Sequence, residues 1–479
     1  LLLKYGTEKQ KEFYLPKLAT GEEVACFALT SPEAGSDAGA IQDKGVICKG
    51  TYAGKEVLGI RLNWDKRYIT LAPVATVLGL AFKLYDPDHL LGDKTSLGIT
   101  VCLIPTNAPG IEIGKRHFPM SAAFMNGPTR GRDVFIPIDW IIGGREMAGQ
   151  GWRMLMECLA AGRAVSLPAL STGAAILTYK TTGAYASLRE QFRIPIGSFE
   201  GIQTSLARIA GFTYTIEAAR GMTASSLDLG ERPGIVSAIA KYHMTELSRK
   251  TVTDGMDIHA GKTVMMGPNN YLAKYYQTQP IAITVEGANI LTRSLMIFGQ
   301  GAIRCHPYVR DEIKAASLYE EDSLGALKAF DEAIWHHLRY FFSNLARGLF
   351  MGLTGAWLKI PPKKDTMFRY FQKLSWFSTA LALTSDVSMI ILGGKLKKSE
   401  QLSARLGDVL SQLYLSSCIL KYYEDHKGGK YHETHAKWAL DYALHKSQTA
   451  LYEFYANFPI PGVGFVLKLI LFPFGAHCP

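Results

Sequence analysis

Gly149-Gln150-Gly151-Trp152-Arg153-Met154-Leu155 is where the chain changes texture. Behind this point residues 152–188 run rich in alanine and leucine, the composition of a long helix, in which Pro168 is expected to impose a kink. Ahead of it, from Val24 to about Ile138, short β-prone runs recur at 24–30, 45–52, 67–71, 74–84, 98–104 and 134–136. Glycine, proline and aspartate separate them at the spacing of a small all-β barrel or sandwich. Downstream, helices are expected over about 200–228, 234–259 and 288–303, broken at Gly230, Pro233, Gly261 and Gly267-Pro268. Long helices on short loops predict an antiparallel four-helix bundle. Residues 1–24 read as the tail of a helical segment, opened by Gly6-Thr7-Glu8, interrupted by Pro16 and turned by Gly21. From Pro307 a second helical region follows, with helices near 321–349, 366–392, 399–425 and 432–457. Its breaks are Pro361-Pro362-Lys363-Lys364, Gly393-Gly394-Lys395-Leu396-Lys397-Lys398 and Lys427-Gly428-Gly429-Lys430. The fold class is therefore α+β and multidomain, with boundaries at 1–24, 25–138, 139–306 and 307–479.

Of the 479 residues, 48% are hydrophobic and 20% charged, the balance of a globular rather than a disordered chain. The net charge is +10, but no basic run is interleaved with aromatics in the way nucleic-acid binding requires. A diffuse positive field suits an anionic small molecule or an anionic membrane surface. The seven cysteines are scattered and never form Cys-x-x-Cys, which points to a reducing compartment without a zinc ribbon or disulfide framework. His432-Glu433-Thr434-His435 sets its histidines three apart where a zincin needs four, so no metal is expected. No run of about 20 apolar residues occurs, and no transmembrane helix is expected. The apolar stretch Val463–Phe472 is too short to span a bilayer; it fits a membrane interface or a core helix equally well. The start at Leu1 and the end at His477-Cys478-Pro479 read as the ends of a piece of a longer chain.

Four stretches carry chemistry. Ile283-Thr284-Val285-Glu286-Gly287-Ala288-Asn289-Ile290-Leu291-Thr292-Arg293 sets one carboxylate between an apolar run and a glycine, where a helix starts. Apolar neighbours raise a carboxylate's pKa, as a base working near neutrality requires. Gly287 lets the backbone approach a ligand, and helix-start N–H groups bind a developing oxyanion. That equipment suits proton removal beside a thioester carbonyl, although a glutamate here can equally cap a helix or complement its dipole. Phe27-Ala28-Leu29-Thr30-Ser31-Pro32-Glu33-Ala34-Gly35-Ser36-Asp37 is a strand entering a small-residue turn, with hydroxyls and free amides able to hold a planar heterocycle. Any strand-to-loop turn can read the same way. Lys66-Arg67-Tyr68-Ile69-Thr70 puts an aromatic and a hydroxyl two apart on one strand face. Lastly, Arg189-Glu190-Gln191-Phe192 ends the long helix with an arginine suited to a pyrophosphate or to the helix dipole.

In this order and spacing the stretches resemble the acyl-CoA dehydrogenase family. Thr30 to Asp37 is similar to its Thr-Glu-Pro-x-Ala-Gly-Ser-Asp flavin motif, and Tyr68-Ile69-Thr70 to its Trp-Ile-Thr. Arg189-Glu190-Gln191-Phe192 is similar to its Arg-x-x-Phe-Gly, and Glu286-Gly287 to its Glu-Gly-Thr. The match covers about residues 5–305, and the C-terminal helical extension makes the chain most similar to the bacterial fatty acyl-CoA dehydrogenases of fatty-acid degradation. The resemblance implies a helical N-terminal domain, a β-domain and a four-helix bundle, with FAD between the last two. It implies Leu29 and Thr30 at the pyrimidine side of the flavin, Tyr68 packed on a ring and Thr70 at flavin N5. Ser36 is implied near the flavin, its phosphates and the pantetheine of the substrate. Arg189 and Gln203 are implied at the pyrophosphate or adenine end of a neighbouring subunit's FAD. Asp257-Ile258-His259-Ala260-Gly261 sits where the family has its Gln-Ile-Leu-Gly-Gly FAD contact, which adds His259 and Gly261 and implies a homo-oligomer, dimer or tetramer.

By the same resemblance Glu286 is the base for the α-proton, with Gly287 and Arg293 beside the substrate. Some members carry the base just before the arginine that matches Arg163; here that residue is Gly162, which has no carboxylate and serves either space for a long acyl chain or ordinary close helix packing. The expected activity is α,β-dehydrogenation of medium- or long-chain acyl-CoA to trans-2-enoyl-CoA in fatty-acid β-oxidation. Electrons would pass to an electron-transfer flavoprotein, in the bacterial cytoplasm, with peripheral contact of the extension at the inner membrane. The alternatives are an acyl-CoA oxidase and a non-catalytic acyl-CoA-binding scaffold. Ser31, Tyr68, Arg193, Lys262 and Ala288 depart from the family pattern, and Ala288 cannot donate the hydroxyl contact to FAD.

Overall fold

The computed structural model describes residues 1–231, 234–426 and 430–475, the side chains of 160, 161 and 430 excepted. The expected breaks at Pro233 and Lys427-Gly428-Gly429, and the end His477-Cys478-Pro479, lie outside the described residues. The chain forms two compact units, Leu1–Ala160 and Ala161–Pro479.

The first unit opens with α1 (Leu2–Tyr5) and α2 (Glu8–Thr20). Thr7 and Gln10 form a capping box on α2. Contrary to expectation, α2 runs through Pro16 unbroken; the proline lies on an exposed face, where one lost backbone bond is tolerable. A seven-stranded sheet follows: β1 (Ala25–Ala28), β2 (Lys44–Tyr52), β3 (Lys55–Thr70), β4 (Val77–Tyr85), β5 (Ser96–Pro105), β6 (Ile111–Ile113) and β7 (Asn126–Pro137). Strands β1 and β2 lie end to end, both parallel, along one edge of β4, and β5 runs antiparallel along the other. β3 joins β2 to β7, and β6 closes on β7. The sequence reading misses β6 and most of β3 and β7. In β3 the apolar Ile60, Leu62 and Trp64 point inward while Arg61, Asn63 and Asp65 point out, an alternation masked by the charges. In β7, Gly131 is a packing residue and not a break: a Cβ there would lie 2.0 Å from the Trp64 ring.

Helix α3 (Gly151–Leu188) crosses the division between the units and runs through Pro168. The hairpin of β8 (Glu190–Gln191) and β9 (Ile194–Pro195) leads to α4 (Glu200–Asp228) and α5 (Gly234–His259). Then come α6 (Gly261–Val264), α7 (Ala273–Thr284), α8 (Asn289–Leu291), a π-helical turn over Thr292–Ile297 and α9 (Phe298–Arg304). The C-terminal region adds α10 (Val309–Ser317), α11 (Ser323–Thr354), α12 (Phe368–Leu392), α13 (Lys395–Lys398), α14 (Glu400–Asp425), α15 (Lys430–Ala456) and α16 (Val463–Leu471).

The boundary expected at 306 does not separate two cores. Phe212 and Ile216 of α4, Met244 of α5 and Leu415 of α14 share one cluster, and Tyr214 packs with Ile419 and Leu440 in another. Gly211 admits the Trp438 ring so closely that a Cβ would lie 1.8 Å from it. By length and composition alone α3 and α12 are apolar enough to cross a membrane, or three spans if the bent α7 and α8–α9 run counts as one. About half of the most apolar window of α3 and of α12 is buried, and α12 carries the buried Gln372 and Asp386, as core helices of a helical unit do.

Candidate active site

Glu286 sits in the joint between α7 and α8, not within a helix start. It and Gly287 are consecutive left-handed residues, with φ of 56° and 92°. For a glutamate that backbone costs roughly 1 kcal/mol and persists only where the surroundings fix it. They do so through Lys241 of α5, which is fully buried. Its Nζ donates to the carbonyls of Ile283 (3.2 Å) and Gly287 (2.8 Å) and to Oδ1 of Asn289 (2.7 Å). Asn289 Nδ2 donates to Thr245 Oγ1 (3.0 Å) and Glu246 Oε1 (2.8 Å), and Thr292 Oγ1 donates to the Gly287 carbonyl (3.2 Å). The Glu286 N–H donates to no protein group among the described residues.

Glu286 keeps solvent access, yet desolvation by the surrounding protein raises its carboxyl pKa, opposed by the positive charges of Arg163 and Lys241. Desolvation and the Arg163 charge push Lys241 down to about 8, against the attraction of Glu286 and Glu246. Burial also lowers Arg163 of α3, whose Nη1 lies 3.9 Å from Met296 Sδ and whose Nε is buried without a partner among the described residues. A Cβ on Gly162 would meet nothing within 4 Å. Sequence reasoning missed Lys241. Its one signal is a lysine on the inward stripe of Ala238, Thr245, Ser248 and Val252.

In the first unit, β3 clasps the turn after β1 from behind. The fully buried Lys66 donates Nζ to the Leu29 carbonyl (2.7 Å) and to Asp43 Oδ2 (2.5 Å). Arg67 donates its N–H to the Thr30 carbonyl (3.1 Å) and its guanidinium to that of Pro32 (2.9 Å). The register of β3 on β7 slips between Lys66 and Ile69, giving Tyr68 a φ of 60° and re-aiming the strand end that carries Thr70. Tyr68 is 58% exposed, with Arg67 over its face and His117 at its edge. The hydroxyls of Thr30, Ser36 and Thr70 bond to no protein group among the described residues, Ser31 Oγ is buried and unpartnered there, and Gly35 borders open space. Unengaged hydroxyls around an orphaned buried one fit the polar edge of a flavin.

The remaining expected residues lie elsewhere in the second unit. Arg189 is exposed at the end of α3. Gln203 Nε2 donates to the Gly197 carbonyl (3.2 Å). Phe192 and Arg193 form the left-handed pair of a two-residue hairpin turn, with φ of 55° and 68°, a backbone that glycine adopts more freely. His259 is the last residue of α5 and is buried, not part of an open loop. Its Nδ1 meets the Gly255 carbonyl (2.8 Å), its Nε2 the Tyr271 hydroxyl (2.6 Å), and its ring stacks on Tyr185. Neither nitrogen is left for a cofactor, which corrects that expectation; Gly261, two residues on, is exposed and unobstructed. Arg293 does not face a substrate either: its guanidinium is taken up by Asp408 of α14. His306, His337 and Asp386 bring their ligand atoms within 4.8 Å of one another. His306 Nδ1 accepts the N–H groups of Tyr308 and Val309, so its Nε2 carries the proton given to Asp386, an arrangement unsuited to metal ligation through that nitrogen.

Three family models match the chain in succession. They are the acyl-CoA dehydrogenase middle domain over residues 26–131, the acyl-CoA dehydrogenase C-terminal domain over 149–297, and the bacterial-type acyl-CoA dehydrogenase C-terminal region over 303–479. Protein HemX of Proteus mirabilis is 62% identical over 104 residues, 22% of this chain and 61% of that protein. Acryloyl-CoA reductase (NADH) of Anaerotignum propionicum is 31% identical over 293 residues, 60% of this chain and 69% of that protein. This chain thus spans under two thirds of the first relative and just over two thirds of the second. The crystal structure of an FAD-complexed acyl-CoA dehydrogenase from Bacillus anthracis shares the fold with a TM-score of 0.75 at 20% identity, over 98% of this chain and 75% of that one. With the base joint and the flavin-type turn each in place on its own unit, the chain belongs to the acyl-CoA dehydrogenase family of FAD-dependent oxidoreductases.

Proposed function

We propose that the chain converts medium- or long-chain fatty acyl-CoA to trans-2-enoyl-CoA in fatty-acid β-oxidation, with Glu286 as base. One observation carries the reading: a single residue combines a carboxyl of raised pKa with an unengaged main-chain N–H, in a joint pinned by a buried lysine. The carboxylate takes the α-proton while its own N–H donates to the thioester carbonyl oxygen, where a preorganised donor is worth ~3 kcal/mol. Bound FAD supplies the acceptor for the β-hydrogen and its electron pair, which leaves the carbon–carbon double bond. Because Glu286 must be ionised, activity rises as pH climbs through its raised pKa. The open space at Gly162 supports a long acyl chain.

The test is anaerobic mixing of the yellow holoprotein with short, medium and long saturated acyl-CoA. Flavin bleaching with enoyl-CoA formation is the expected result, strongest with the longer chains, and no bleaching with any of them overturns the reading. Peroxide release in air would assign an oxidase in place of a dehydrogenase that passes electrons to an electron-transfer flavoprotein. Since one relative is named a reductase, NADH-driven reduction of an enoyl-CoA is the reverse arm of the same assay.

A homo-oligomer in the bacterial cytoplasm, docked at the inner membrane, completes the proposal. Leu188 and Phe192 are 82% and 90% exposed at the β8–β9 hairpin, a surface suited to a second copy. The six described cysteines are all free, which suits a reducing compartment. Phe465, Val466 and Leu469 of α16 are exposed beside Lys468, the dress of an interfacial helix. Flotation of the protein with anionic vesicles is expected, and its survival in a Phe465→Asp/Leu469→Asp variant would remove α16 from the docking role.

A further inference from the structure

The C-terminal extension lies directly on the segment that follows the base. Arg293, in the π-helical turn, donates Nε to both carboxylate oxygens of Asp408 (2.9 and 3.1 Å) and Nη2 to Oδ2 (2.5 Å). Beside Asp408, Gly407 admits the other end of that turn: a Cβ on it would lie 3.4 Å from Ile297 and 3.5 Å from Phe298. Farther along α14, Leu410 packs where a Cβ on Gly301 would be, 3.2 Å away. One short stretch of α14, residues 407–410, thus meets the helix that begins at the base joint at three places. A π-helical turn is a rare and strained geometry, most often kept at functional sites. Here its first residue, Thr292, holds the carbonyl of Gly287, the residue next to the base. Desolvation disfavours the Asp408 charge and Arg293 sustains it, so removing either partner strands the other in protein.

We propose that α14 belongs to the frame of the active site: Asp408, through Arg293 and Thr292, holds the wide turn in register and thereby sets the position of Glu286. The proposal rests on Glu286 being the base. Arg293 and Asp408 are positioning residues, and neither touches the substrate. A bidentate, charge-assisted fork fixes orientation as well as distance, which is what a displaced carboxylate would lose. A bond that merely fastened the extension in place would leave the chemistry of each correctly folded molecule unchanged.

The experiment uses the full-length holoprotein with Asp408→Asn and Arg293→Lys. FAD content, thermal unfolding, acyl-CoA affinity and the rate of flavin reduction per bound FAD are measured together. The rate per bound FAD is expected to fall about tenfold or more in Asp408→Asn, with acyl-CoA affinity changed by no more than about twofold. Arg293→Lys, which keeps the charge but loses the fork, falls in between. Wild-type rates per bound FAD, with only a lower unfolding temperature or FAD content, overturn the proposal. If Asp408→Asn does not fold, Arg293→Lys decides the question alone. Glu286→Gln is run in parallel: bleaching that survives there indicts the assignment of the base, whereas bleaching lost there but unaltered in Asp408→Asn sinks the positioning role alone.

Discussion

Glu286→Gln is expected to retain FAD and acyl-CoA binding while flavin reduction by substrate slows at least about a thousandfold. The substitution keeps the side chain's length and planar shape and removes only its basicity. Three features make it the most damaging single change for the proposed chemistry. The joint backbone, with its φ of 56°, is held by Lys241 and Thr292 through main-chain atoms, so the glutamine inherits the same position and the same N–H. No second carboxylate stands at Gly162 to take over the proton. The carboxyl's raised pKa reflects an environment that disfavours its charge, and a neutral amide relieves that cost, so the variant should unfold no earlier than wild type. Stopped-flow absorbance of the oxidised flavin, with FAD content measured on the same sample, checks this. Bleaching at the wild-type rate would place the base elsewhere.

How far the sequence reveals this site depends on what kind of signal each residue leaves. Glu286 and the Thr30–Thr70 hydroxyls are legible because they stand in short, ordered patterns. The groups that hold them are not. Lys66 occupies an inward position of β3 where alternation calls for an apolar residue, and nothing local says that its ammonium will meet Asp43 and the Leu29 carbonyl. Lys241 likewise reads as an ordinary helix lysine, since a long cationic side chain in a helix usually reaches for water. α7 escaped because its Tyr, Thr and Ile and its internal Pro280 favour strands and loops, and tertiary packing overrides that preference. Arg293 is legible as functional, but its partner, Asp408, is more than a hundred residues away, in the helical region beyond residue 306. The long-range partner, not the residue, is what local pattern cannot supply.

Lys241→Met is expected to lower flavin reduction by about tenfold to a hundredfold, to cost about 2 kcal/mol of stability, and to reshape the pH profile. Methionine leaves the Ile283 and Gly287 carbonyls and Asn289 Oδ1 without their common donor, a loss offset in part by no longer burying a charge. The pH signs follow from the two titrating groups. Glu286 is active when ionised, so the wild-type rate rises through its raised pKa on the acid side. Lys241 titrates near 8, and above that pH the neutral amine has one donor fewer for three acceptors and no charge to favour the Glu286 carboxylate; the rate should fall there. The wild-type profile of kcat/KM is therefore expected to be a bell with an alkaline limb near pH 8. In Lys241→Met one of the two positive charges that lower the Glu286 pKa is gone while that of Arg163 remains, so the acid limb moves to higher pH and the alkaline limb disappears. A lysine with a purely structural role would change the unfolding temperature and leave both limbs where they were. Because the Lys241 hydrogen bonds go to Ile283, Gly287 and Asn289, on either side of Glu286, the shape of that profile tests whether the joint or the carboxylate alone makes the catalyst.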